Sequence, residues 1–590
     1  MKFPYGLADF AAVISEGYYY ADRTQYIHEF EQSSKYLLFL RPRRFGKSLI
    51  LSMLENYYDF RKKDQFEALF GHLNIGKNPT PSHNGYFVLR LDFSMVDGQG
   101  SVANIKQALH DHINNSILEM QRRYADIFAS LLFDKENALV ALHGLAAIAN
   151  TTPHKLYLLI DEYDNFANEV MVANRSEYEA LVMGEGFLKT VFKNIKGLSA
   201  GRGIDRVFIT GVSPVVMSDV SSGYNVASNI TLMPKFADLC GLHEREIIDV
   251  LKQIAQECQL SDEQQAEALS MMRRFYNGYR FGDNEDKIYN PTLALYFLRY
   301  LQEYCKYPKQ MLDSNLAMDS NRISYVASLP HGHEMIARIL DPDNPPKIDY
   351  PSDKFGVKDM LFGAKDQPFM ASLLFYLGVL TFGERDFMGR LSLQIPNLVI
   401  RRLYLERLQE MLLPNYEDHE ATRHVAEHFY HSGDIEPLCD FIENRFFQVF
   451  DNRDYRWANE LVVKTAFLTI LFNDIFYVMD SEQELNKGYA DLSLIVRPDM
   501  RQYQLLDHVL EFKYLKLDDV KMSGKQAKAT PRADLLKLAP VQKSIEEATK
   551  QLNYYRKALN NRYKVTLRLH TYVVIALGFE RLVFVEITLR

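Results

Sequence analysis

Residues 36–48 read YLLFLRPRRFGKS. The run Tyr36–Leu40 has the composition of a strand buried on both faces, and the polar, proline-bearing stretch after it must turn. Gly46-Lys47-Ser48 then closes the phosphate-binding pattern G-x-x-x-x-G-K-[ST], with Arg41 where the first glycine belongs. The chemistry survives that exchange. Gly46 lets the backbone approach phosphates, Lys47 can reach the β- and γ-phosphates, and the Ser48 hydroxyl can ligate Mg²⁺. Apolar residues at Ile50, Met53, Leu54 and Tyr57 predict a helix whose N-terminus faces the phosphates and whose stripe faces a sheet.

The other half of such a site is a strand ending in carboxylates, and LYLLIDE at 156–162 supplies one. Asp161 is expected to hold Mg²⁺ through water and Glu162 to polarise the attacking water; the competing reading is a strand capped by solvated acids. A third strand ends Thr210-Gly211-Val212-Ser213, where Ser213 could sense the γ-phosphate or the chain could simply turn. Arg43, Arg44 and Phe45 complete the loop. The arginines, Arg41 included, read as phosphate contacts, as fingers acting in trans, or as loop solvation. Predicted strands at Tyr36–Leu40, Tyr86–Leu91, Leu156–Ile160 and Arg206–Thr210 alternate with long amphipathic segments, the rhythm of a parallel α/β sheet.

A second constellation lies near the C-terminus. Asp491 opens a strand, and a second strand ends Glu511-Phe512-Lys513. Residues two apart on a strand share a face, so Glu511 and Lys513 point the same way. If the two strands turn near Arg501, Asp491 falls opposite Glu511. Mg²⁺ held by Asp491 and Glu511 would bind phosphate and water, Lys513 would orient that water, and Glu460 on a preceding helix is a fourth member. Asp499 lies eight positions further along, roughly 26 Å from Glu511 at ~3.3 Å per residue, and reads as a turn residue. The competing reading of Glu511 and Lys513 is a solvated strand edge.

At 590 residues the chain has room for several domains, and 47% hydrophobic against 24% charged residues excludes wholesale disorder. Net charge is −8, yet residues 521–590 hold 14 Lys+Arg against 5 Asp+Glu, a basic stretch suited to a phosphate-tracking surface or to plain solvation. Cys240, Cys258, Cys305 and Cys439 are scattered with no CxxC pair, which argues against a disulfide framework and for a cytoplasmic location. Neither a secretory leader nor a membrane span is expected. The proline-rich Asp341–Asp353 is the expected linker.

Several motifs carry a resemblance. RPRRFGKSLILSMLENYYD, preceded by YYYADRT and followed by LLIDEYD, ITGVSP, SSGYNVASNIT, FYNGYRF, LLFYLGVLTF and IPNLVIRRLY, closely resembles the bacterial AAA-ATPase-like family. That family commonly lacks the first P-loop glycine; Arg23 stands where it more often has Lys. The resemblance implies a C-terminal PD-(D/E)XK nuclease-superfamily domain, in which Gln551 and Tyr554 match a Q-x-x-Y motif that contacts the DNA backbone. Pro498-Asp499 fits the literal "PD" of that name, but the hairpin geometry favours Asp491. The expected fold class is α/β, with a helical lid and a middle α+β region. A P-loop, AAA-like ATPase core spans 1–235, a mostly helical lid 236–340, the linker 341–353, a mixed α/β region 354–445, and a restriction-endonuclease-like domain 446–590. ATP and Mg²⁺ are the expected cofactors and DNA the expected partner, with RNA and homo-oligomers left open and no membrane. The expected activity is ATP hydrolysis coupled to Mg²⁺-dependent DNA cleavage, by analogy in defence against foreign DNA. The alternative is a nucleotide-driven switch that binds nucleic acid or protein without cutting.

Overall fold

The computed structural model describes all residues but 99, 166–186, 215–225, 283–285, 313–322, 324–331, 342–343, 354, 356–365, 414, 451–459, 481–482, 486–487, 564–566 and 589–590. Part of the SSGYNVASNIT motif falls outside the described residues. Two compact units emerge, each assembled from separated segments: Met1–Ile254, Asn277–Arg299 and Pro346–Gln394 form one, and Ala255–Tyr276, Tyr300–Pro345 and Ile395–Arg590 the other. The helical stretch expected as one lid is therefore divided between them.

The first unit is built on a sheet of order β2-β3-β4-β1-β5, comprising β1 (Tyr36–Leu40), β2 (Tyr86–Asp92), β3 (Lys155–Asp161), β4 (Ile204–Gly211) and β5 (Ser228–Asn229). All its pairings are parallel. Its central strands are almost continuously buried, as a sheet covered on both faces requires. Helix α1 (Lys47–Tyr58) follows β1 directly and packs Ile50, Leu51, Met53, Leu54 and Tyr57 inward.

Arg41 departs from every expectation for a P-loop arginine. It is buried, and its guanidinium donates to the carbonyls of Leu40 (2.9 Å), Thr231 (2.7 Å), Phe236 (3.0 Å) and Ala237 (3.2 Å). The rings of Phe39 and Phe281 lie 4.5 and 4.2 Å from its carbon, as cation–π partners. Neither a phosphate contact nor a finger in trans is left to that side chain. Burial pushes its pKa down to about 10, yet it remains a cation at neutral pH.

A smaller sheet, order β6-β8-β7, joins β6 (Lys347–Ile348), β7 (Thr381–Arg385) and β8 (Leu391–Gln394), with helix α2 (Gln367–Tyr376) preceding β7. β6 lies inside the proline-rich stretch expected as linker. It sits at the sheet edge, where a flanking proline's missing N–H costs no ladder bond.

In the second unit the sheet order is β15-β14-β13-β12-β9. β9 (Tyr477–Asp480), β12 (Leu492–Val496), β13 (Asp507–Leu515), β14 (Leu569–Leu577) and β15 (Arg581–Glu586) form it; the short strands β10 (Gln483–Leu485) and β11 (Gly488–Ala490) pair apart. Only β13 and β14 run parallel. Helix α3 (Glu460–Leu471) precedes the sheet, and the crossover from β13 to β14 carries helix α4 (Ala539–Arg562). Val541, Leu552, Tyr555 and Leu559 of α4 bury against Val509, Val573 and Ile575 of the strands. Burying each such side chain contributes roughly 1.5–3 kcal/mol. One sequence expectation fails here: Cys258 and Cys305 are paired as a disulfide, while Cys240 and Cys439 are buried thiols. A separation of 47 residues gives no local sign of the pairing.

The Arg41 cage yields a stability prediction. Arg41→Ala should cost on the order of 3 kcal/mol, because buried carbonyls lose their donors. Arg41→Lys should recover little, since one ammonium cannot serve four divergent carbonyls. Urea unfolding midpoints measure both, and a lysine variant as stable as the parent would refute the cage.

Candidate active sites

The candidate nucleotide site grows from the strand order. β4 lies between β1 and β3, so the loop after β1 and the end of β3 stand two strand spacings apart, roughly 10 Å. Gly46 adopts φ 95°, with no atom within 4 Å of where a Cβ would be, and α1 begins without a side-chain cap. This is an open cradle of backbone N–H groups at a helix N-terminus, which fits a phosphate. Lys47 is buried, and its ammonium donates to the carbonyls of Arg41 (3.0 Å) and Pro42 (3.1 Å) across the loop. Burial pulls its pKa down, while Glu162 and Asp161 act the other way. Ser48 is half-buried beside it.

Other loop side chains have different tasks. Phe45 is buried edge-on to Tyr279 (4.9 Å) and Phe281 (5.3 Å), anchoring the loop to the FYNGYRF segment. Arg43 donates to Asn165 Oδ1, and Arg44 turns the chain at φ 67° while its carbonyl accepts from Thr292 Oγ1 at 3.1 Å.

At the end of β3, Asp161 is buried and accepts from Thr210 Oγ1 (2.6 Å) and Arg90 Nη2 (3.2 Å). Its oxygens are thus partly occupied, which suits a metal held through water. Glu162 adopts φ 46°, a strained conformation of the kind that gathers at functional sites. Burial raises its pKa, with Lys47 and Arg43 opposing. Ser213, expected as a sensor, is engaged by a carboxylate. Its N–H (2.9 Å) and hydroxyl (2.9 Å) both donate to Asp164 Oδ2, and Val212 N–H donates to Asp164 Oδ1 (3.0 Å). The buried Asp164 therefore clamps β4's end to β3's. Sequence reasoning missed Asp164 and Arg90, although Asp164 stands inside the LLIDEYD run.

In the second unit, β12 and β13 pair Leu492↔Leu510, Ser493↔Val509 and Leu494↔His508, the register that a turn at Arg501 predicts. Asp491, one residue before β12, comes level with Glu511, and its Oδ2 accepts from Phe512 N–H at 2.8 Å. Lys513 Nζ reaches Glu511 Oε1 at 3.0 Å and lies 3.8 Å from Glu460 Oε1. Glu460, Asp491, Glu511 and Lys513 are thus one cluster. Gln551, on exposed α4 surface, hydrogen-bonds to none of them among the described residues.

Lys464 joins the cluster unannounced. It is buried in α3, one turn after Glu460, with Nζ 3.7 Å from Asp491 Oδ1. The available signal was a lone lysine inside ELVVKTAFLTIL, spaced i,i+4 from Glu460. Asp499 stands outside the cluster in a 3₁₀ turn, where both oxygens accept from the fully buried Arg497 (3.1 and 3.0 Å).

Among the described residues no three His, Cys, Asp or Glu side chains are set to close on a metal ion. Two carboxylates are, chemically, better placed. Glu511 Oε2 is buried without a hydrogen-bond partner. Burial, then the neighbouring Asp491, pushes the Glu511 pKa up to about 7. An orphaned, electron-rich oxygen beside a second carboxylate fits a hard divalent cation. Burial lowers the Lys513 pKa, but Glu511, Glu460 and Asp491 outweigh it, and the net shift is upward.

Comparison with known proteins bears on both regions of the chain. Residues 4–221 match the family model described as "Predicted AAA-ATPase", and residues 458–585 match the PD-(D/E)XK nuclease superfamily. The chain thus carries an AAA-ATPase-like domain and a C-terminal PD-(D/E)XK nuclease-superfamily domain. An "Uncharacterized protein in vnfD 5'region" of Azotobacter chroococcum mcd 1 is 28% identical over 314 residues, 51% of this chain and 53% of that protein. The chain thus spans about half the length of this relative. Among solved structures, the Aeropyrum pernix ORC1 protein in complex with DNA is 11% identical with a TM-score of 0.23, covering 68% of this chain and 90% of that one. The Aeropyrum pernix ORC2 protein (ADPNP-ADP complexes) is 12% identical with a TM-score of 0.29, covering 65% and 92%. Likeness at that level carries no argument here.

The Glu511 shift has a definite sign. Its folded value, about 7, lies above the ordinary 4.5, so the folded metal-free protein holds an extra proton between those limits. Stability should fall as pH rises through that window. Thermal melts in EDTA from pH 5 to 8 should show the decline, and Glu511→Gln should flatten it. Added Mg²⁺ should raise the melting temperature more at pH 8 than at pH 6, because metal and proton compete for one carboxylate. Superimposed profiles for parent and variant would refute the assignment.

Proposed function

We propose that this chain binds and hydrolyses ATP and couples that cycle to a Mg²⁺-dependent nuclease acting on DNA, in the cytoplasm. The observation that carries the reading is the unpartnered Glu511 Oε2 beside Asp491, with Lys513 bonded to the other oxygen of the same carboxylate. A module that only binds has no need of a buried carboxylate kept incompletely paired, since that state costs about 1–3 kcal/mol.

In the nucleotide site the Gly46 cradle and the Lys47 ammonium bind the β- and γ-phosphates, and Glu162, its pKa raised by burial, accepts the proton of the attacking water. Ser48 and Asp161 would hold Mg²⁺ there. In the nuclease site Asp491 and Glu511 would hold Mg²⁺, which when bound supplies charge stabilisation and a more acidic water. Lys513 orients the attacking water and faces the charge that develops on the phosphate. Lys464 holds Asp491 in place. Exposed Lys543, Lys550 and Lys557 lie on one stripe of α4 with exposed Tyr554, a surface suited to a phosphate backbone.

No helix among the described residues is long and apolar enough to cross a membrane. The second reading, a switch that binds without cutting, draws on the lysines already paired with the carboxylates, and the same experiment separates the two.

Supercoiled plasmid is incubated with purified full-length protein and Mg²⁺, with and without ATP. Asp491→Ala should abolish cleavage, because Glu511 alone satisfies too few of the oxygen ligands Mg²⁺ takes. Asp499→Ala should leave cleavage per folded molecule nearly intact. No cleavage by the parent under any nucleotide condition would favour the binding-only switch.

The ATPase assignment has its own test. Lys47→Ala should weaken ATP binding at least tenfold, whereas Glu162→Gln should keep binding and lose turnover by about 10²-fold or more. Wild-type hydrolysis by Glu162→Gln would overturn the role of that carboxylate. Lys47→Ala should also change the plasmid cleavage rate, and identical cleavage with ATP, without it and in that variant would leave the two activities uncoupled.

A further inference from the structure

The hairpin β7–β8 ends in a tip that the activities above leave unused. Phe387 is 94% exposed and Met388 65%, side by side at the turn. Two adjacent large apolar side chains held out in water are costly unless something covers them.

The tip is rigid. Asp386 Oδ1 accepts from the N–H groups of Met388 (2.9 Å) and Arg390 (3.0 Å), and Oδ2 accepts from the Arg390 guanidinium (3.1 and 2.9 Å). Its N–H donates to the Arg390 carbonyl, and Gly389 closes the turn at φ 80°. The Arg385 guanidinium donates to the Gly389 carbonyl at 2.9 Å. Lys347, on the neighbouring edge strand β6, approaches Asp386 at 3.6 Å.

The roots are packed as well. Phe382 of β7 stacks on Phe375 of α2 at 4.3 Å. Thr381 Oγ1 accepts from Arg280 N–H at 2.7 Å. Gly378, at φ 80°, approaches the P-loop so closely that a Cβ there would sit 2.5 Å from Pro42 Cβ.

The helix before the hairpin cannot be the reader of any ligand, because Phe369–Tyr376 are all buried. The tip is presented. Exposed Arg385 and half-exposed Arg390 and Lys347 flank the apolar pair, against Glu384 and Asp386. Apolar wedges of Phe or Met, framed by Arg and Lys, are the means by which proteins part base steps from the minor groove and bend the duplex.

We infer that the β7–β8 tip is a DNA wedge: Phe387 and Met388 enter the minor groove between base steps while Arg385, Arg390 and Lys347 meet the flanking phosphates. This rests on the nucleic-acid reading above and adds a binding element remote in sequence from the nuclease carboxylates. Clamping by Asp386 lowers the ordering cost of insertion, since the tip is already in one conformation.

The test uses full-length protein carrying Asp491→Ala, so that DNA is not cut, and a 30-base-pair duplex labelled at both ends. Anisotropy reads affinity and end-to-end energy transfer reads bending. Adding Phe387→Ala and Met388→Ala should weaken binding about tenfold and remove the bend; Phe387→Leu, which keeps an apolar wedge, should retain most of both. Unchanged affinity and bend in the double alanine variant would overturn the wedge and leave the nuclease reading standing. Failure of the Asp491→Ala parent to bind any duplex would overturn both. A parent that self-associates through the tip, so that the double variant changes oligomeric state rather than DNA affinity, would assign the surface to a second copy instead.

Discussion

The Arg41 guanidinium, buried against four carbonyls and between two aromatic rings, holds the end of β1 to residues nearly two hundred positions away. A glycine at that position would serve only by letting the loop bend. The arginine instead fastens the loop's entry from outside, leaving Gly46 alone to supply the open approach that a phosphate needs. Cation and acceptors are all buried, so the arrangement tolerates no partial substitute: remove the donor and four buried carbonyls each lose a hydrogen bond, though that of Phe236 is still reached by the Leu239 N–H. The placement of Lys47, and through it the charge environment of Glu162, depends on this cage.

Both candidate sites place carboxylates at the ends or edges of strands, but they tune them differently. At the P-loop, Asp161 is engaged by Thr210 and Arg90, while Glu162 is strained and pushed toward neutrality by burial. In the C-terminal cluster, lysines and carboxylates alternate: Lys464 beside Asp491, Lys513 between Glu511 and Glu460. That alternation keeps a dense group of acids together without metal, yet leaves one oxygen of Glu511 unsatisfied. A cluster fully neutralised by lysines would have no reason to take up a cation.

Much was legible in the chain itself. Strand positions followed from short apolar runs, because a strand buried on both faces has little freedom of composition. The β12–β13 register followed from counting, because antiparallel pairing about a turn keeps the sum of partner numbers constant and a slip of one residue would turn every side chain over. That rule separated Asp491 from Asp499, and the ion pair of Asp499 with buried Arg497 agrees with it. Less was legible where a side chain's role depends on what it meets. Ser213 at a strand end could sense phosphate or merely turn, and only the arrival of Asp164 from the next strand shows its hydroxyl engaged.

The sequence by itself determined the strands of the parallel sheet, the P-loop pattern and the pairing of Asp491 with Glu511, since each is written in local periodicity or fixed spacing, whereas the C-terminal fold was legible only through the resemblance of its motifs. Tertiary structure alone decided the rest: the carbonyl cage of Arg41, the Asp164 clamp, Lys464 beside Asp491, the Cys258–Cys305 pairing, and a hairpin tip that presents Phe387 to water. Each of these depends on which faces of distant elements come together, and on which groups lose their water when they do. That information belongs to packing, because burial makes an unpaired charge or carbonyl costly and so selects its partner wherever in the chain it lies.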